Sequence, residues 1–242
     1  MAKISEQLGK DGNAYRQEYE KLTAAIEKFF WDEEKGAYID SFTSGKRNVT
    51  RHANIFAVLF SIADKQKQKK ILTNVLENDE IPAITTPYFN FFELDVLCRM
   101  GKLTEVLDKI RSYWGGMLDL GAVTFWEEYD PSVPKEEQYD MYGDHFGKSL
   151  CHAWAASPIY FLAKYFAGLD LVNKDGVTYV LKPQMQYFTE LDCTLPVGNN
   201  GTVRIVWDGE YLEVTPDADG GVLELGEEKI SLVRGESRRV KI

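Results

Sequence analysis

The sequence predicts a mainly α chain followed by a β domain: a helical-hairpin domain over residues 1–168 and a small antiparallel β-sandwich over residues 169–242. Three observations predict this division. Apolar residues recur at helical spacing as far as about Gly168. Beyond Gly168 the period falls to two, with turn residues between short runs. The helical stretches are also joined by short loops, which sets successive helices side by side and antiparallel.

Tyr15, Tyr19, Leu22, Ile26 and Phe29/Phe30 form one apolar stripe, with Arg16, Glu20 and Lys28 on the other face. A charged turn, Trp31 to Gly36, ends that helix. Asn54–Asp64 repeats the pattern through Ile55, Val58, Leu59 and Ile62, and Lys69–Glu77 through Ile71, Leu72, Val75 and Leu76. Pro87 opens a helix that Gly101 stops, and Leu103, Val106, Leu107, Ile110 and Trp114 form another, closed by Gly115-Gly116. A last helical segment, Lys148–Ala167, is kinked or restarted at Ser157-Pro158. In the β region Val203, Ile205 and Trp207 share a face, Asp208-Gly209 is a hairpin turn, and Tyr211–Thr215, Val222–Leu225, Ile230–Val233 and Arg239–Ile242 follow as short strands.

Between the helices lies a long non-periodic stretch, Gly115 to about Phe146. Loops longer than about 12–15 residues are uncommon in compact domains and usually functional. This one concentrates Trp126, Glu127, Glu128, Tyr129, Asp130, Tyr139, Asp140, Tyr142, Asp144 and His145. Aromatic rings stack on the apolar faces of pyranoses while carboxylates accept from hydroxyls, so a small carbohydrate suits such a loop. Within Gly121–Asp130 a carboxylate beside an aromatic wall can act as a general base. A purely structural aromatic loop fits the same residues, and of Glu127 and Glu128 the pattern leaves room for one in a site, with Glu128 given no role.

Composition removes several function classes. The 242 residues are 44% hydrophobic, and 38 acidic against 28 basic residues give a formal charge of −10 with no basic cluster, which excludes nucleic acid and anionic membranes as partners. No apolar run approaches the roughly 20 residues that span a bilayer. Cys98, Cys151 and Cys193 are odd in number and sit among apolar neighbours, so they read as reduced core residues. With an N-terminus lacking an apolar core, this points to the cytoplasm. His52, His145 and His152 lack metal-ligand spacing, and no nucleotide loop or serine elbow is present, so neither a metal nor a cofactor is expected.

Four motifs occur in order: Arg51-His52-Ala53-Asn54 to Asp64; Thr85-Thr86-Pro87-Tyr88-Phe89 through Trp114-Gly115-Gly116-Met117; Thr124-Phe125-Trp126-Glu127; and Cys151-His152-Ala153-Trp154 to Pro158. Together they resemble bacterial α-L-rhamnosidases of glycoside hydrolase family 78. The resemblance implies an (α/α)6 six-hairpin barrel followed by a β domain, and an inverting mechanism on terminal α-L-rhamnosides. It makes Glu127 the catalytic general base, places His152 in the rhamnose subsite and Trp126 beside the base as a ring contact. Trp154, Tyr88 and Asn54 follow as substrate-binding candidates, each within a matching motif.

The family's general acid lies in an acidic Asp-Glu-Arg-type segment of the first half of the barrel, which has no counterpart here. About six helices stand where the closed barrel has about twelve. The expectation is a C-terminal part of a rhamnosidase, an open half-barrel inactive by itself that self-associates through its exposed helix faces. A non-catalytic carbohydrate-binding or assembly module, or a hydrolase from another helical-barrel clan, remains as an alternative.

Overall fold

The computed structural model describes residues 1–174, 177–197 and 201–242. It combines a helical region with two small β-sheets, arranged as two compact units, Met1–Met100 and Gly101–Ile242.

The first unit begins with a short helix α1 (Ala2–Gln7) and the long α2 (Asn13–Phe30). The charged turn after α2 is the tip of a small hairpin, β1 (Trp31–Asp32) paired with β2 (Ala37–Tyr38), which periodicity does not register because each strand has two residues. Helix α3 spans Arg51–Leu59 and stops short of the expected Asp64, because Ser61 turns left-handed at φ +58° and the Ala63 amide folds back onto the Ala57 carbonyl. Asp64 instead starts α4 (Lys65–Ile71), its Oδ1 accepting from the Gln66 and Lys67 amides at 2.9 and 2.8 Å. The helix widens over Leu72–Leu76 before ending. Helix α5 (Pro87–Arg99) carries proline in its first turn.

Buried polar groups tie this unit together. Asn54, fully buried on α3, accepts from the Tyr38 amide and donates to the Tyr38 and Thr50 carbonyls, so its amide clamps β2 to the helix. Arg51 donates to Glu93 of α5 at 2.9 Å and to the Leu76 carbonyl at 2.8 Å, a buried ion pair. Helix α2, by contrast, buries none of its apolar stripe completely: Tyr15, Tyr19, Leu22 and Phe29 are exposed.

In the second unit α6 (Leu103–Lys109) continues through a widened turn at Ile110–Trp114 into α7 (Gly115–Asp119). The glycine pair therefore does not close the helix; Gly121, at φ +92°, follows its end. Gly116 serves another purpose, since a Cβ there would lie 2.4–2.6 Å from the Tyr129 ring and hydroxyl. The last helix, α8 (Ser157–Phe161), extends through a widened turn to Phe166. Lys148–His152 is not helical, contrary to the expected Lys148–Ala167 helix, because its backbone groups bond to the preceding loop.

Gly168, at φ +75°, passes the chain from helix to sheet where any Cβ would strike the Lys182 carbonyl oxygen. Eight strands follow: β3 (Leu169–Lys174), β4 (Val177–Leu181), β5 (Leu191–Val197), β6 (Gly201–Trp207), β7 (Tyr211–Pro216), β8 (Gly221–Leu225), β9 (Glu228–Leu232) and β10 (Arg238–Lys241). They form two sheets, ordered β10-β7-β6-β5 and β3-β4-β8-β9. All pairs are antiparallel except β4–β8, which is parallel. Val203, Ile205, Leu212 and Val214 from one sheet meet Tyr179, Leu181, Leu223 and Leu232 from the other in a single core. The alternation along β6 set that core face in the sequence; β3 to β5 interleave polar residues and Pro196 and had no such signature.

Candidate functional site

The site is built on the loop from Leu120 to His152, which is long but ordered by its own backbone. Glu127 N donates to the Ser149 carbonyl at 2.9 Å and His152 N to the Phe125 carbonyl at 2.8 Å, while the Thr124 hydroxyl donates to the Leu150 carbonyl. The two motifs Thr124–Glu127 and Cys151–Trp154, distant in sequence, are thereby zipped side by side. Below them, the Tyr129 amide donates to the Tyr113 hydroxyl at 3.1 Å and the Trp114 indole to the Ala155 carbonyl at 2.8 Å. Gln138 donates to the Asp130 and Val133 carbonyls and closes the middle of the loop.

At the centre is Glu127, only 9% exposed. Its Oε1 accepts from the Tyr142 hydroxyl at 2.7 Å and its Oε2 from the Ser149 amide at 3.1 Å. His152 Nδ1 stands 3.9 Å from Oε2. The Tyr142 hydrogen bond is the strongest influence holding this carboxyl below its ordinary range; burial opposes it, and the Ser149 amide, His152 and Lys148 act with it. The result is a largely enclosed carboxylate that stays ionised, the state a proton acceptor requires.

Around it the residues divide. Trp154, half exposed, lies with its ring 4.2 Å from that of His152 and offers an apolar face beside the imidazole. Trp126 is buried, its indole edge-on to Tyr139, so it shapes the loop from within. Lys148 is also buried, and desolvation pushes its ammonium pKa down against the charges of Glu128, Asp130, Asp140 and Glu127. Asn54 and Tyr88 belong to the first unit; Asn54 has its amide committed to Tyr38 and Thr50, and Tyr88 is partly exposed among Phe89 and Phe92. Among the described residues no group of three metal-ligating side chains occurs, and no helix is long and apolar enough to cross a membrane. Of the cysteines, Cys98 is buried, Cys193 intermediate and Cys151 exposed, so the expectation of three core thiols fails for Cys151, which lies in the zipped loop.

Tyr142 and Ser149 are partners of Glu127 that sequence reasoning missed. Ser149 contributes only a backbone amide, which any residue type would supply. Tyr142 carries no sequence signal, because a tyrosine before Gly143 does not announce the left-handed turn that brings it to Glu127.

This loop falls within a stretch with a defined family match: the model of the bacterial alpha-L-rhamnosidase six-hairpin glycosidase domain matches residues 1–166. The chain belongs to that family. Solved structures agree. A rhamnosidase from Klebsiella oxytoca with rhamnose bound is 32% identical over 64% of this chain and 29% of its own, with a TM-score of 0.56. A family 78 rhamnosidase of Bacillus sp. GL1 is 23% identical over 89% of this chain and 23% of its own, at 0.73, and shares the fold. So does the alpha-L-rhamnosidase of Dictyoglumus thermophilum, 19% identical over 99% and 29%, at 0.67. The chain thus spans less than a third of the length of each relative. No curated protein matches it.

Proposed function

We propose that the chain carries the general-base side of an inverting α-L-rhamnosidase that acts on terminal α-L-rhamnosides, with Glu127 as the base. The observation that carries this is the ionised, enclosed Glu127 carboxylate 3.9 Å from His152, whose ring lies 4.2 Å from that of the half-exposed Trp154, in the loop covered by the family match. Rhamnose bound in the Klebsiella oxytoca relative supports L-rhamnose as the sugar. In this reading residues 1–168 contribute the C-terminal half of an (α/α)6 barrel and residues 169–242 the appended sandwich.

The chemistry follows from an inverting displacement. Glu127 removes a proton from water, the water oxygen attacks the anomeric carbon from the face opposite the aglycone, and the carbon–oxygen bond breaks with its electrons passing to the aglycone oxygen. A second carboxyl group, about 6.5–9.5 Å away, protonates that oxygen. We assign that acid to a segment outside these 242 residues, because no Asp-Glu-Arg-type run is present among them. A positioned acid contributes about 10²–10⁴ in rate, so natural rhamnosides are negligible substrates for this chain alone. His152 and Trp154 hold the sugar, and Trp126 supports them from inside the loop.

Two further assignments belong to this reading. The exposed stripe of Tyr15, Tyr19, Leu22 and Phe29 on α2 supports self-association. The free, exposed Cys151 thiol supports a reducing compartment, the cytoplasm. Titration of the chain with L-rhamnose, followed by NMR, tests the sugar assignment. Shifts at His152 and Trp154, retained in Glu127→Gln and weakened about tenfold in Trp154→Ala, are expected. An absence of shifts in this loop contradicts it.

A further inference from the structure

Tyr142 occupies an unusual place. Met141 and Asp144 exchange both backbone hydrogen bonds, at 3.0 and 2.9 Å, so Tyr142 and Gly143 are the two central residues of a tight hairpin turn. Their φ values, +56° and +80°, are both left-handed, as a type I′ turn demands. Glycine takes this geometry freely, whereas a bulky side chain is strained in it. Packing does not hold the tyrosine there, for it is 79% exposed. The turn itself is braced from behind: Gly147 approaches the Met141 carbonyl so closely that a Cβ would lie 2.1 Å from its oxygen, and the Gly147 amide donates to the Asp144 carbonyl. An exposed aromatic residue, in a strained conformation, on a braced turn, makes one side-chain hydrogen bond, to Glu127 Oε1.

We propose that Tyr142 is a positioning residue for Glu127: its hydroxyl fixes the carboxylate by Oε1 and leaves Oε2, the oxygen beside His152, to take the proton from water. This rests on the reading of Glu127 as the base. Strain at a residue with so little packing is the pattern found where geometry is held for function. The groups that act on the pair are the Ser149 amide, His152 and Lys148 on Glu127, and Glu128 on Tyr142. Hydrogen bonding to Glu127 raises the Tyr142 phenol, so it remains a donor at neutral pH.

Tyr142→Phe removes the hydroxyl and keeps the ring. NMR titration of the Glu127 carboxyl should show its midpoint rising toward that of an ordinary glutamate in this variant, and ultraviolet titration of Glu127→Gln should show the Tyr142 phenol falling. With 2,4-dinitrophenyl α-L-rhamnoside, Tyr142→Phe should lower kcat about tenfold with KM within twofold, and shift the acid limb of kcat/KM upward. Tyr142→Gly, which relieves the turn, should lose the same kcat while unfolding at an equal or higher temperature. An unmoved Glu127 midpoint, or a kcat within twofold of wild type, overturns the proposal. Failure of the base reading is separate: it shows as a Glu127→Gln chain that turns over the aryl rhamnoside unimpaired, whatever the titrations report.

Discussion

The carboxylate of Glu127 and the imidazole of His152 face one another at 3.9 Å because the backbone on either side of them is paired, Glu127 N to the Ser149 carbonyl and His152 N to the Phe125 carbonyl. Two motifs separated by a long irregular loop are therefore one structural unit, and changes at either should be felt by the other.

The first consequence concerns pH. Glu127 is held below its ordinary range, chiefly by Tyr142 and against the cost of burial, so its hydrogen bonds stabilise the fold fully above the unfolded-state value, about 4.3. That contribution is lost as pH falls through the lower, folded-state value. Glu127→Gln should cost about 1 kcal/mol in urea unfolding at pH 7, and the gap should narrow steadily as the pH is taken below about 4.3. A gap that keeps its size over that descent contradicts the assignment.

Gly116 should tolerate no side chain. A Cβ would overlap the Tyr129 ring, which lies against Tyr113 with centroids 5.6 Å apart. Gly116→Ala should destabilise the chain by about 1–3 kcal/mol and weaken L-rhamnose binding through the displaced loop. Gly115→Ala, where no atom lies within 4 Å of the added Cβ, is the matched control and should be neutral or slightly stabilising.

In the first unit, the Arg51–Glu93 pair is buried on both sides. Removing one partner strands the other charge, so Glu93→Ala should cost about 3–5 kcal/mol. The double variant Arg51→Met/Glu93→Leu should recover much of that loss in the same unfolding measurement. A double variant as unstable as the sum of the singles shows that the two side chains are not coupled and contradicts the prediction.

These particulars also show what the sequence made legible. The helical stripes and the alternation along β6 came through because burial on one face imposes a period. The boundaries failed where one residue decides them: Asp64 begins a helix rather than ending one, and Gly115-Gly116 makes room for Tyr129 rather than closing a helix. The Lys148–His152 segment reads as helix from its side chains but spends its backbone bonds on the Phe125–Glu127 loop. Glu127 and His152 were singled out through motifs, and their side chains lie 3.9 Å apart. Asn54, drawn from a motif as well, has its amide bound within the fold, and Tyr142 matters through a turn conformation that residue type alone does not reveal.

The base assignment is tested most directly by a substrate that needs no acid. With 2,4-dinitrophenyl α-L-rhamnoside, proton NMR should show the chain releasing β-L-rhamnose first, the inverted product, above the spontaneous rate, with Glu127→Gln returning to that spontaneous rate. First release of α-L-rhamnose, or an undiminished rate in Glu127→Gln, would contradict Glu127 as the base.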